Sequence, residues 1–163
     1  MSERPGRERP GRERPPAYAR AISLLGRRAH FRAELRAKLL AKGYAEGEVD
    51  GALDRLARDR YLDDERTARE LVAGRLARGP VGRRKLAAEL ARKGAPAKAA
   101  AAALDELVPE DDREAAREAA DDWLRRRGAP DPAALARHLE RRGFSPRAIW
   151  GEVERLGSAG GAE

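Results

Sequence analysis

The chain has 163 residues, no cysteine, and 35 Lys+Arg against 28 Asp+Glu, a formal net charge of +7. Without cysteine there is no disulfide framework, zinc-thiolate site or thiol nucleophile. No apolar run approaches the roughly 18–20 residues that cross a bilayer, and the opening Met1-Ser2-Glu3-Arg4-Pro5 lacks the apolar stretch of a signal peptide.

A cytoplasmic location is therefore expected, with no membrane partner. The basic balance draws a chain toward phosphates and acidic surfaces. Arg, Ala, Gly and Pro are abundant together, so either a compositional bias or a function accounts for it, and the distribution of charge says more than the total. Aromatic residues are few, with two Trp, three Tyr and two Phe. The interior must be mostly Leu and Ala, thin for one compact core and better suited to small units that stabilise their neighbours.

Residues 3–16 form a five-residue Glu-Arg-Pro-Gly-Arg repeat whose Pro and Gly exclude helix. Residues 1–16 are expected to be a disordered, mildly basic tail with nothing to bury. A short leading helix follows at about 17–25. Beyond it lies an internal repeat, anchored on Gly43, Gly94 and Gly143. Leucines stand eight residues before each glycine (Leu35, Leu86, Leu135) and four before (Leu39, Leu90, Leu139). Six, ten and thirteen residues after come Val49, Leu53 and Leu56, then Ala100, Leu104 and Leu107, then Ile149, Val153 and Leu156.

Every one of these positions is apolar, and the spacing describes the unit. The paired leucines lie one turn apart on one helical face. The glycine ends that helix, because it alone takes the left-handed conformation without a Cβ penalty. The later set is the stripe of the next helix, whose start is marked by Pro96 and by Ser145-Pro146, while Asp131-Pro132 opens a middle helix in the same way. Leading helices at about 63–78 (Ala68, Leu71, Val72, Leu76) and 110–127 (Ala116, Ala120, Trp123, Leu124) complete the second and third copies. The expectation is an all-α protein of three tandem three-helix repeats in an elongated array, spanning 17–60, 61–108 and 109–156, with a flexible end at 157–163.

Catalysis has little to draw on. His30 and His138 share no motif and read as isolated surface or helix-end histidines; no phosphate-binding loop, metalloprotease helix or nucleophile elbow is present. The acids from Asp105 to Asp122 fall at a helix start and on a polar helix face, so they read as a solvated or partner-facing surface. No catalytic residue, metal site or cofactor is expected. Tyr44 and Phe144 hold the same place after their glycines, and Trp123 and Trp150 lie beside apolar stripes, so the aromatics are assigned to core packing over base stacking.

Between residues 80 and 98, Arg83, Arg84, Lys85, Arg92, Lys93 and Lys98 face a single acid, Glu89. With Leu86, Ala87 and Leu90 inward, Arg84, Lys85 and Arg92 point outward and are free to meet a partner.

Particular strings carry a family resemblance. Arg28-Ala29-His30-Phe31-Arg32-Ala33-Glu34-Leu35 running to Leu39 and Gly43-Tyr44, then Tyr61-Leu62-Asp63-Asp64-Glu65, then Arg75, Gly79 and Arg84 to Gly94 resemble, in order, motifs of the RecX family of recombination regulators. The resemblance spans roughly 17–156. Phe31 stands where Ser or Thr is expected, and Arg60 where the family has Gly. The resemblance implies a helical-repeat protein that binds in the groove of the RecA–DNA filament and mainly inhibits recombinase and co-protease activity; a monomer is expected, with Arg75, Arg83, Arg84, Lys85, Arg92 and Lys93 as candidate contacts to the filament or to DNA. The other reading of the same residues is a direct, sequence-tolerant DNA-binding protein acting through its Arg-rich helices.

Overall fold

The computed structural model describes residues 14–127 and 131–159, and every described element is helical. The three reference glycines set the frame. Gly43, Gly94 and Gly143 have φ of 81°, 81° and 82°, left-handed values that stop three helices at the same point of the pattern. These middle helices are α2 (Arg32–Ala41), α5 (Arg83–Arg92) and α8 (Pro132–Arg141). Each is preceded by a leading helix, α1 (Ala17–Leu25), α4 (Asp64–Leu76) or α7 (Arg113–Arg127), and followed by α3 (Glu46–Arg58), α6 (Ala97–Leu107) or α9 (Pro146–Ala159).

The helices group in threes, because the substantial helix–helix packing joins α1 to α3, α4 to α6 and α7 to α9. The six repeat leucines of the middle helices, Leu35, Leu39, Leu86, Leu90, Leu135 and Leu139, are fully buried. Around them Val49, Leu53 and Leu56 close the first core, Val72, Ala99, Ala103 and Leu104 the second, and Ala116, Ala120, Trp123 and Phe144 the third. The plain Ala99–Ala103 run thus supplies two small buried contacts. Capping follows the sequence signals where they exist: Asp63, Asp131 and Ser145 accept from the backbone N–H of Arg66, Ala134 and Ala148. Pro96 sits just before α6 rather than inside it.

The joints between units are made by backbone. Neither Phe31 nor Gly82 has a side chain able to cap its helix, so the exposed first-turn N–H groups of α2 and α5 need outside partners. The N–H of Arg32 donates to Asp64 Oδ1 at 2.8 Å. Those of Gly82 and Arg84 donate to the carbonyls of Arg142 and Gly143, at 2.8 and 3.3 Å. The end of α8 therefore meets the start of α5. In the same way Gly94 at the end of α5 lies against Ala33 at the start of α2, where a Cβ on the glycine would be 3.0 Å from the Ala33 Cβ. Positive helix starts face negative helix ends at both joints. Phe31 is the plug of the first joint: it precedes α2, yet its ring is buried in the core of the second unit.

Four expectations need correction. Residues 1–13 lie outside the described residues, but Arg14–Pro16, expected to belong to a tail without contacts, hold the first unit. The Arg14 guanidinium donates to the Lys42 carbonyl at 3.2 Å and stacks 3.8 Å above the Tyr44 ring, whose hydroxyl donates to the Pro15 carbonyl at 2.7 Å. Trp150 is 65% exposed. Its helix is turned so that Ala148 and Glu152 face inward, leaving Ile149, Val153 and Leu156 half-buried, and the small Ala148 joins Phe144 and Trp123 in the third core. Leu71 and Leu76 are likewise half-buried, and α4 ends at Leu76 rather than at 78. His30, finally, is buried rather than at the surface.

Candidate partner-binding cleft

A concave cleft opens where the first and second units meet. Its floor is Phe31, Thr67 and Leu71, and its edges carry Arg28, Arg75, Arg78 and Lys93 with Glu34, Glu70 and Glu89. Arg75 lies in the last turn of α4 and Arg78 in the turn that follows it, while Lys93 caps the end of α5. Gly74 leaves one wall open, since a Cβ there would meet nothing within 4 Å.

The charges are of two kinds. Arg75 is committed internally, its Nε and Nη2 donating to the two Glu89 oxygens at 2.7 and 2.8 Å. This bidentate pair ties α4 to α5; it holds the Glu89 carboxyl below its ordinary range and raises the Arg75 guanidinium. Arg78 and Lys93 make no ion pair among the described residues, so their charge is available to a ligand.

Across the cleft Glu34 gathers Arg28, Lys38 and His30. Its burial alone would raise its pKa, but contacts from Arg28, His30 and Lys38 outweigh that and hold it at about 2. The His30 Nδ1 lies 2.9 Å from Glu34 Oε2, although not aligned for a hydrogen bond. Burial pushes its pKa down while Glu34 pulls the other way. The cleft thus offers free cations over an apolar floor, the chemistry that receives a carboxylate or phosphate beside an apolar group.

The sequence-predicted residues do not form one patch. Arg75 and Lys93 share the cleft. Arg92 lines the adjoining groove with Ala33 and Ala37. Arg83 is turned inward to the Leu104 carbonyl at 3.1 Å and to Asp105. Arg84 and Lys85 are exposed at the joint with the third unit, where the Lys85 backbone lies under Gly143. Arg28 and Arg78 were missed as site residues; Arg28 opens a motif string already noted, and Arg78 follows Arg75 at helical spacing. Much of the acidic stretch is engaged within the chain. Asp112 accepts from the Ser145 hydroxyl and backbone N–H at 2.6 and 2.7 Å, and Asp121 pairs with Arg155. No described helix is long and apolar enough to cross a membrane.

Comparison with known proteins converges on one family. Residues 17–56 match the first three-helix domain of RecX, and residues 63–104 match its second. Regulatory protein RecX of Chlorobium limicola is 37% identical over 90 residues, covering 55% of this chain and 57% of that protein. That of Treponema pallidum is 40% identical over 94 residues, covering 58% of this chain and 57% of the relative. The chain thus spans somewhat over half the length of the curated relatives it matches. The crystal structure of RecX from Lactobacillus salivarius superposes with a TM-score of 0.74 at 19% identity, covering 87% of this chain and 95% of that one. A second crystal structure, of a regulatory protein RecX, gives 0.71 at 23% identity, covering 85% and 70%. At such identities the two structures speak for the fold.

Proposed function

We propose that this chain, which belongs to the RecX family, is a regulatory protein that binds the RecA–DNA filament and mainly inhibits recombinase and co-protease activity. The observation that carries this reading is the cleft between the first two units. It lies wholly within the two stretches that match the family, and it presents Arg78 and Lys93 unpaired above an apolar floor. End-to-end units give a long surface suited to following a filament. Binding by contact, without catalysis or cofactor, is the mode proposed, in the cytoplasm and as a monomer.

The test is RecA-driven ATP hydrolysis on single-stranded DNA with and without the chain. Slower hydrolysis is expected, and Arg78→Ala with Lys93→Ala should blunt the effect while leaving the melting temperature nearly unchanged, as surface changes usually alter stability by about ±0.5 kcal/mol. Hydrolysis at the same rate throughout a titration would sink the proposal.

A further inference from the structure

Away from the cleft, at the joint of the second and third units, Trp150 stands exposed in a groove between α8 and α9. Ala133, Ala136, Ile149 and Val153 line it, and Arg84 and Glu140 stand at its rim. A tryptophan 65% exposed, beside an arginine with no ion pair among the described residues, is not explained by packing.

The surroundings extend the pattern. In all three middle helices the residues ten, six and two before the reference glycine are exposed, and their four-residue spacing makes them one stripe. The stripe reads Ala33, Ala37, Ala41 in α2, then Arg84, Ala88, Arg92 in α5, then Ala133, Arg137, Arg141 in α8. Because the middle helices meet end to end, the stripe continues from unit to unit: Arg92 shares a groove with Ala33 and Ala37, and Arg84 shares one with Ala133. None of Arg84, Arg92, Arg137 and Arg141 makes an ion pair among the described residues. Arg84 and Arg92 are about 12 Å apart along their helix, and Arg137 and Arg141 about 6 Å.

We propose that this stripe and Trp150 form a binding site for single-stranded nucleic acid, with the arginines on successive phosphates and Trp150 stacking on a base. A row of cations crossing two units suits a linear polyanion better than a compact acidic ligand, and an exposed indole offers a platform that any base can use. Guanidinium groups match phosphate geometry. Glu140 at the rim opposes anions locally, so the phosphates follow the arginine side of the groove. The site shares no residue with the Arg78–Lys93 cleft, and its success or failure is independent of the filament reading.

The full chain is titrated with a thymidine homopolymer while tryptophan fluorescence and the anisotropy of the labelled strand are followed. Trp123 is buried, so a saturable quench reports Trp150. Trp150→Ala should remove the quench and weaken binding about tenfold, and Trp150→Phe should restore most of the affinity. Arg84→Ala with Arg137→Ala should lower the slope of log affinity against log salt by about 1.4, at about 0.7 per phosphate contact. Circular dichroism melts of the exposed-site variants should match the parent. Equal affinity of Trp150→Ala, equal binding of a duplex, or equal competition by polyglutamate would each overturn the proposal.

Discussion

Arg60 has φ of 59°, the one positive value among the described non-glycine residues. Left-handed backbone costs a residue with a side chain about 1–2 kcal/mol. Arg60 makes no ion pair among the described residues to offset that cost. Replacing it with glycine should raise stability by about 0.5–1 kcal/mol once the extra freedom of glycine in the unfolded chain is subtracted. Urea titration of Arg60→Gly checks this; an unchanged or lower midpoint would mean that Arg60 makes contacts worth its strain.

Histidine and glutamate predict the pH response at the same scale. His30 and His138 both titrate below their ordinary value, chiefly through burial, and arginines around His138 add to it. Between the folded and unfolded values the unfolded chain binds more protons, so stability falls as pH drops through about 6.5. Glu34, held at about 2, acts lower: its contribution is full above its ordinary value and is lost as pH falls toward 2. Thermal melts should show a first loss between about pH 7 and pH 5, reduced in His30→Gln, and a second in acid.

Among elements, the joints are the sensitive points. A Cβ on Gly143 would lie 2.4 Å from the Lys85 backbone nitrogen and 2.5 Å from its Cβ, in a residue already at φ 82°. Neither helix can yield without breaking the hydrogen bonds from Gly82 and Arg84. Gly143→Ala should therefore cost about 2–4 kcal/mol, strain and overpacking together. Gly51 is the control. It lies exposed inside α3 with nothing within 4 Å of a Cβ, so Gly51→Ala should stabilise by up to about 1 kcal/mol. Calorimetry of the two variants should show opposite shifts in melting temperature.

At the scale of the whole molecule, three cores linked by end-to-end joints predict an elongated particle. A compact domain of 163 residues has a radius of gyration of about 15 Å. Small-angle scattering should give a distinctly larger value; one equal to the compact figure would mean that the units fold back on one another.

Periodicity was enough to determine the helices and their inward leucines, because the turn spacing and the left-handed glycines are local properties of the chain. Leu35, Leu39, Leu86, Leu90, Leu135 and Leu139 could be placed inside from their spacing alone. Only the tertiary structure decided how the units join. Asp64 caps α2 from 32 residues away, and Phe31 leaves its own unit for the next core, since nothing in a local pattern says which neighbour supplies a missing cap or receives a ring. The charges divided in the same way: the basic run of α5 was visible, but the pairing of Arg75 with Glu89 and of Arg83 with Asp105, and the freedom of Arg78 and Lys93, depend on which helix lies opposite. Trp150 adjoins an apolar stripe and so reads as a packing residue, but α9 turns Ala148 and Glu152 inward and leaves the indole outside, a rotation that local spacing does not fix.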